Sequence, residues 1–249
     1  MVFSLPHIRV FSVKINTLSI IEFIDLISIL IRNKKNYVQQ TSVNAYTILC
    51  CQTDKALRES INKSDLVNID GMSVVWALKF LGYKNVVKAS SPDIFNSLIG
   101  LAAEKGYRPY FLGSTKEVLE LAMYNLKKKY PTLQIAGYHH GYFNEDESDE
   151  IAKQIRESKA DMLFLGISSP KKELFVEKYK DIMKVPYTLG VGGVFDIIAG
   201  KTKRAPLWMQ NSGLEWLYRF IQEPQRMWRR YLIGNIQFIW IAIKEKLKK

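Results

Sequence analysis

The residues able to do chemistry in this chain stand where short apolar runs end. Asp70 follows Leu66-Val67-Asn68-Ile69, and Asn44 follows the run that starts at Val38. Gly113-Ser114-Thr115 closes a third run, and Gly190-Val191-Gly192-Gly193 closes a fifth. If these runs are parallel strands, all four points lie at carboxyl ends, where an open parallel sheet binds its ligands. A carboxylate at such a mouth is partly desolvated, which raises its pKa and suits it to take a proton from an attacking hydroxyl. The same Asp70 could equally cap a helix starting at Met72. The paired glycines allow close backbone approach to a phosphate, although neither glycine turn carries a Walker or dinucleotide fingerprint.

Other chemistries find little support. His139 and His140 are adjacent and cannot easily converge on one ion, and no Asp-x-Asp element follows a strand. The acidic run Glu145–Glu150 reads as a helix start, and Tyr138–Phe143 as a loop. There is no Gly-x-Ser-x-Gly turn and no histidine placed to activate Cys50 or Cys51. No metal and no cofactor is expected. A diphosphate would then be held by basic side chains in place of a cation.

The elements that must position these residues alternate. Strands are expected over Val38–Asn44, Asp65–Asp70, Pro109–Gly113, Asp161–Ile167 and Tyr187–Gly192. Helical spacing covers Ser91–Lys105, Lys116–Lys129 and Glu147–Ser158. That alternation predicts an α/β, Rossmann-like, mostly parallel sheet with helices on both faces. The nearly continuous apolar run DMLFLGI is what a strand buried on both faces requires.

Beyond Gly200 strand signals stop. Leu207–Ile221 reads as one helix, Pro224 interrupts it, and a long final helix is expected from there to the end. We therefore divide the chain into a core, 1–199, and a helical appendage, 200–249. The appendage holds eleven Lys/Arg against three Glu, so +8 of the net +12 lies in the last fifth. Its last helix joins Arg226, Arg229 and Arg230 to Trp228, Trp240 and a series of isoleucines, ending in lysines. That is the composition of a helix lying in the interface of an anionic membrane. Docking on the core, or burial of its apolar face between subunits of a homo-oligomer, are the other uses of such a face. The stretch Leu18–Ile31 is broken by Glu22 and Asp25, too short an apolar run to span a bilayer. No signal-peptide pattern is seen at the N-terminus, and two adjacent cysteines make no disulfide framework. These readings place the protein in the cytoplasm, peripheral on the inner face of the plasma membrane.

Taken together, several strings resemble the WecG/TagA/CpsF glycosyltransferases of cell-surface polymer synthesis. They are Ser42-Val43-Asn44-Ala45, Asp70-Gly71, YFLGS, Tyr130-Pro131, Gly141-Tyr142-Phe143, Ser169-Pro170-Lys171-Lys172-Glu173, GVGGVFDIIAG, Arg204-Ala205-Pro206 and GLEWLYRFIQEPQRMWRRY. The resemblance implies an inverting, metal-independent transfer of an N-acetylmannosamine-like sugar. It would pass from a UDP-sugar to undecaprenyl-diphosphate-linked N-acetylglucosamine, in polysaccharide or teichoic acid synthesis. It makes Asp70 the general base, with Arg219, Arg226 and Arg229 completing the site over the diphosphate. It places Ser42, Asn44, Lys88, Gly113, Lys172, Gly192, Gly193 and Arg204 at the substrates. Three positions depart from the family: Ser42 stands for Thr, Lys88 for Arg and Lys172 for Gln. The donor sugar is therefore left open. The alternatives are a non-catalytic membrane scaffold of the same fold and a basic nucleic-acid-binding α/β protein. The concentration of charge beside an apolar, Trp-bearing helix favours lipid over nucleic acid.

Overall fold

The computed structural model describes residues 5–33 and 37–248. The first four residues, part of the N-terminal stretch read above for a signal peptide, lie outside it, as does Lys249 at the end of the tail. A hairpin, β1 (His7–Val10) and β2 (Val13–Asn16), precedes α1 (Ile20–Asn33). Then follow β3 (Val38–Val43), α2 (Ala45–Thr53), α3 (Lys55–Lys63), β4 (Leu66–Ile69), α4 (Met72–Phe80) and α5 (Ser91–Lys105). The middle of the chain contributes β5 (Pro109–Gly113), α6 (Lys116–Lys129), β6 (Gly137–His139) and α7 (Ser148–Glu157). It continues through β7 (Met162–Gly166), α8 (Lys171–Met183), β8 (Tyr187–Gly190) and α9 (Val194–Ile198). The rest is helical: α10 (Leu207–Asn211), α11 (Glu215–Gln222), α12 (Pro224–Trp228), a π-turn over Arg229–Ile233 and α13 (Gly234–Leu247).

The six strands β3 to β8 pair in the order β4-β3-β8-β7-β5-β6, every pairing parallel. Alternation along the strands sorts side chains to two faces. Phe111, Phe164, Tyr187 and Leu189 face a core shared with α1, α5 and α6. Leu112, Leu163 and Leu165 face α7 and α8, while Val43, Val67 and Ile69 face α2, α3, α4 and the C-terminal α13. The expected α/β sheet with helices on both faces is what forms.

Several expectations change. Gly137–His139 is a short edge strand on β5, where a loop is expected; three residues reading GYH carry no alternation to reveal it. The run Leu207–Ile221 is two helices, because Gly213 adopts φ +73 and turns the chain between them. The final helix is interrupted by the π-turn. Glu145–Glu150 does start a helix: the Asn144 amide donates to Glu147 Oε2 at 2.6 Å in a capping box.

A buried polar chain fixes the end of the sheet where ligands are expected. Tyr187 Oη donates to Gln40 Oε1 at 2.7 Å, and Gln40 Nε2 donates to Asn68 Oδ1 at 2.9 Å. Asn68 Nδ2 then donates to the Ala89 carbonyl at 2.7 Å. The Ala89 amide returns a bond to the Ile69 carbonyl at 3.0 Å. One line of hydrogen bonds thus ties β8, β3 and β4 to the segment carrying Lys88 and Ser90.

Gly113 has its own structural demand. It adopts φ +149, and a Cβ there would lie 2.5 Å from the Gly166 backbone, its partner in register on β7. Gly113→Ala is expected to cost about 3 kcal/mol or more, from backbone clash together with an unfavourable φ. An unchanged midpoint in chemical denaturation would contradict this account.

Candidate active site

At the carboxyl end of the sheet a cavity of about 900 Å³ opens between the core and the C-terminal helices. Asn44, Asp70, Gly71, Lys88 and Ser90 line its core side. Glu215, Trp216, Arg219 and Arg230 line the other. From there its wall is mostly apolar, running between α4, with Trp76 and Phe80, and α13, with Ile236, Ile239 and Ile243.

Each polar residue is placed by its element. Asn44 is the N-cap of α2, its Oδ1 accepting from the Thr47 amide at 3.0 Å. Asp70 caps no helix of its own: Gly71 stands at the N-cap of α4, without a side chain to serve it. The Asp70 carboxylate turns instead to the start of α5 and accepts from the Ser91 amide at 2.8 Å. Burial pushes its pKa up to about 6. The Ser91 hydrogen bond opposes that rise, Glu215 adds to it, and Lys88 and Arg230 oppose it. This one carboxylate therefore changes protonation near neutrality, as a proton acceptor in transfer should.

Around Asp70 an ion-pair chain joins core to appendage. Lys88 Nζ lies 3.5 Å from Glu215 Oε2, and Arg204 Nε lies 3.5 Å from Glu215 Oε1. Arg204 also binds Asp93 Oδ1 at 2.6 Å. Burial would raise the Asp93 carboxyl, but bonds from Arg204 and Ser90 outweigh it and hold the group below its ordinary value. Sequence reasoning does not single out Glu215: it is one of three acids in the basic tail, and only the folded contacts with Lys88 and Arg204 distinguish it.

The arginines separate. Arg219 lines the cavity, and one of its terminal nitrogens lies 2.7 Å from where a Cβ on Gly193 would stand. Gly192, at φ +56, makes the turn beside it. Arg226 is exposed and pairs with Glu223 at 2.7 Å, while Arg229 lies over the Trp228 ring, and neither lines the cavity. Arg230, named from the sequence only as part of the basic helix and given no role at the site, does line it. The chain turns at Glu223 (φ −135, ψ 59) and passes through the π-turn, so helical spacing carried across that break misjudges which arginine faces inward.

Ser42, Gly113, Lys172, Gly192, Gly193 and Arg204 lie outside the cavity lining, the last two reaching it only through Arg219 and Glu215. Ser42 sits within β3, paired with Asn68. Lys172 is nearly buried against Glu173, and its Cε runs 2.6 Å from where a Cβ on Gly190 would stand. Among the described residues, no three His, Cys, Asp or Glu side chains gather as a metal site. Cys51 is buried, which pushes its thiol up to about 12, so it is no nucleophile at neutral pH.

Residues 8–249 match the glycosyl transferase WecG/TagA/CpsF family. Three relatives carry the name N-acetylglucosaminyldiphosphoundecaprenol N-acetyl-beta-D-mannosaminyltransferase. That of Bacillus subtilis (strain 168) is 30% identical over 222 residues, covering 87% of this chain and 86% of its own. The protein of Bacillus spizizenii is 34% identical over 172 residues, 69% of this chain and 66% of its own. In Staphylococcus aureus (strain MW2) identity is 29% over 229 residues, 88% and 89% of the two chains.

Proposed function

The chain belongs to the WecG/TagA/CpsF family and is a glycosyltransferase, and on that premise we propose that it moves an N-acetylmannosamine-like sugar from a UDP donor to undecaprenyl-diphosphate-linked N-acetylglucosamine. The observation that carries this reading is Asp70, with its raised carboxyl, at the mouth of a cavity that is polar at one end and apolar along the other.

In the proposed step the acceptor hydroxyl gives its proton to the Asp70 carboxylate. Its oxygen forms a bond to the anomeric carbon as the bond from that carbon to the donor's phosphate breaks. The nucleoside diphosphate leaves with the electron pair, and configuration inverts because attack is opposite the leaving group. Asn44 and the Gly192-Gly193 turn flank the donor, and Arg219 against Gly193 meets the charge that develops on the departing diphosphate. No step in this scheme draws on a metal. Lys88 and Arg204 act through Glu215, holding α11 over the site.

The appendage, 200–249, serves as the membrane-facing part of the same enzyme. On α13 only Gly234, Phe238 and Ala242 are buried. Ile236, Ile239, Trp240 and Leu247 are exposed, between Arg229 and the closing lysines. No helix among the described residues is long and apolar enough to cross a membrane. Such a face suits the interfacial region of an anionic leaflet, where the lipid acceptor resides.

The test is transfer from a panel of UDP-sugars to a lipid-diphosphate-N-acetylglucosamine analogue in detergent. Turnover with one N-acetylhexosamine donor is expected. Liposome binding without turnover on any donor would favour the scaffold reading instead.

A further inference from the structure

One cation lining the cavity stands outside every ion pair found among the described residues. Arg230 forms no ion pair among the described residues, and its Nε is buried without a hydrogen-bond partner. Its guanidinium lies over the Tyr46 ring, 5.2 Å from the centroid, and 5.7 Å from that of Tyr231. The two rings hold the charge in place without neutralising it. Its positive charge reaches Asp70, so the group stands near the reacting end of the cavity. The π-turn that carries Arg230 is the kind of helical irregularity found often at functional sites. A partly desolvated guanidinium with an unsatisfied donor calls for an oxyanion.

What surrounds Arg230 specifies the rest of that ligand. From it the cavity continues between α4 and α13, past Trp76, Phe80, Ile236, Ile239 and Ile243. Trp76, Phe80, Ile236 and Ile239 are largely exposed on these facing helices. The complementary molecule is therefore an oxyanion with a long apolar tail. A nucleoside diphosphate would match the charge and leave the apolar wall uncovered. Arg219 stands apart, against the glycine turn at the end of β8.

We infer that Arg230 binds the diphosphate of the lipid acceptor, seating its polyprenyl tail along the α4–α13 groove, while Arg219 serves the donor's diphosphate. This rests on the transferase reading and adds to it: the site has two diphosphates to hold, and Arg219, like Arg230, forms no ion pair among the described residues and buries an unpartnered Nε.

The closing experiment titrates the full chain with farnesyl diphosphate, farnesol or inorganic diphosphate, following the fluorescence of the cavity residues Trp76 and Trp216. Wild type is expected to bind farnesyl diphosphate at least tenfold tighter than farnesol. Arg230→Gln is expected to weaken farnesyl diphosphate about tenfold or more, the scale of a lost charge-assisted bidentate contact, with farnesol unchanged. Arg230→Lys should fall between, since it retains charge without the fork. In turnover, Arg230→Gln should raise KM for the lipid acceptor and leave that for the donor unchanged, with Arg219→Gln doing the reverse. Unchanged farnesyl diphosphate binding in Arg230→Gln overturns the assignment, and so does an equal loss for farnesol, which would make Arg230 a packing residue. The binding arm decides the matter even if no UDP-sugar is turned over, so failure of the transferase reading remains distinguishable.

Discussion

Asp70→Asn is expected to lower the rate of sugar transfer by about two to four orders of magnitude, the range a positioned general base supplies. The substitution isolates proton acceptance from everything else the residue does. Asn can still accept from the Ser91 amide, so the bond that places the side chain at the start of α5 survives. It should not unfold the protein either. Burial holds the native carboxyl near 6, above its unfolded value of about 4. The group is therefore protonated in both states below pH ~4, and its ionisation counts against the native state as pH rises through 6. Near pH 8 the Asn variant should be at least as resistant to denaturant as wild type. Activity has the opposite slope: the base must be ionised, so kcat/KM of wild type should fall as pH drops below about 6. An Asn variant of undiminished activity, or a wild-type profile flat from pH 8 to 5, would move the base elsewhere.

How far the sequence discloses this arrangement depends on how local each signal is. Continuous apolar runs bounded by glycine give β5, β7 and β8 nearly to the residue, because a strand covered on both faces leaves no freedom in residue type. Helices α5 and α6 are equally legible in their spacing, and the structure caps them with Ser90 and Thr115, each side chain accepting from the amide three residues on. Asp70 and Asn44 are found by position alone, at the ends of strands. What stays hidden is what tertiary contact decides. The destination of the Asp70 carboxylate depends on the Ser91 amide, 21 residues away. Glu215 acquires meaning only when Lys88 and Arg204 close on it. The choice of Arg230 over Arg226 and Arg229 is settled by a turn at Glu223 and a π-turn that no periodicity announces.

Lys172→Gln is expected to destabilise this chain by about 3 kcal/mol or more. The reason lies next door. Glu173 is almost wholly buried, its side chain 1% exposed, and Lys172 beside it is 11% exposed. Lys172 and Ser169 both donate to Glu173 Oε1, while Oε2 has no partner. Attraction within such a pair does little more than offset the desolvation of its two charges. Removing one partner exposes the full cost of the other, roughly 3 to 5 kcal/mol for a buried charge left alone. Adding Glu173→Gln should recover most of the loss, since two neutral amides leave no ion to desolvate. Denaturation of the two single variants and the double gives the coupling energy directly. The same cycle bears on donor choice. With its ammonium engaged by Glu173 and its stem packed under Gly190, Lys172 can reach a donor only by leaving that pair. A stable double variant that keeps the wild-type donor preference would make Lys172 a structural partner. A changed preference would put its ammonium on the donor sugar, and an unchanged denaturation midpoint in Lys172→Gln would overturn the buried-pair account.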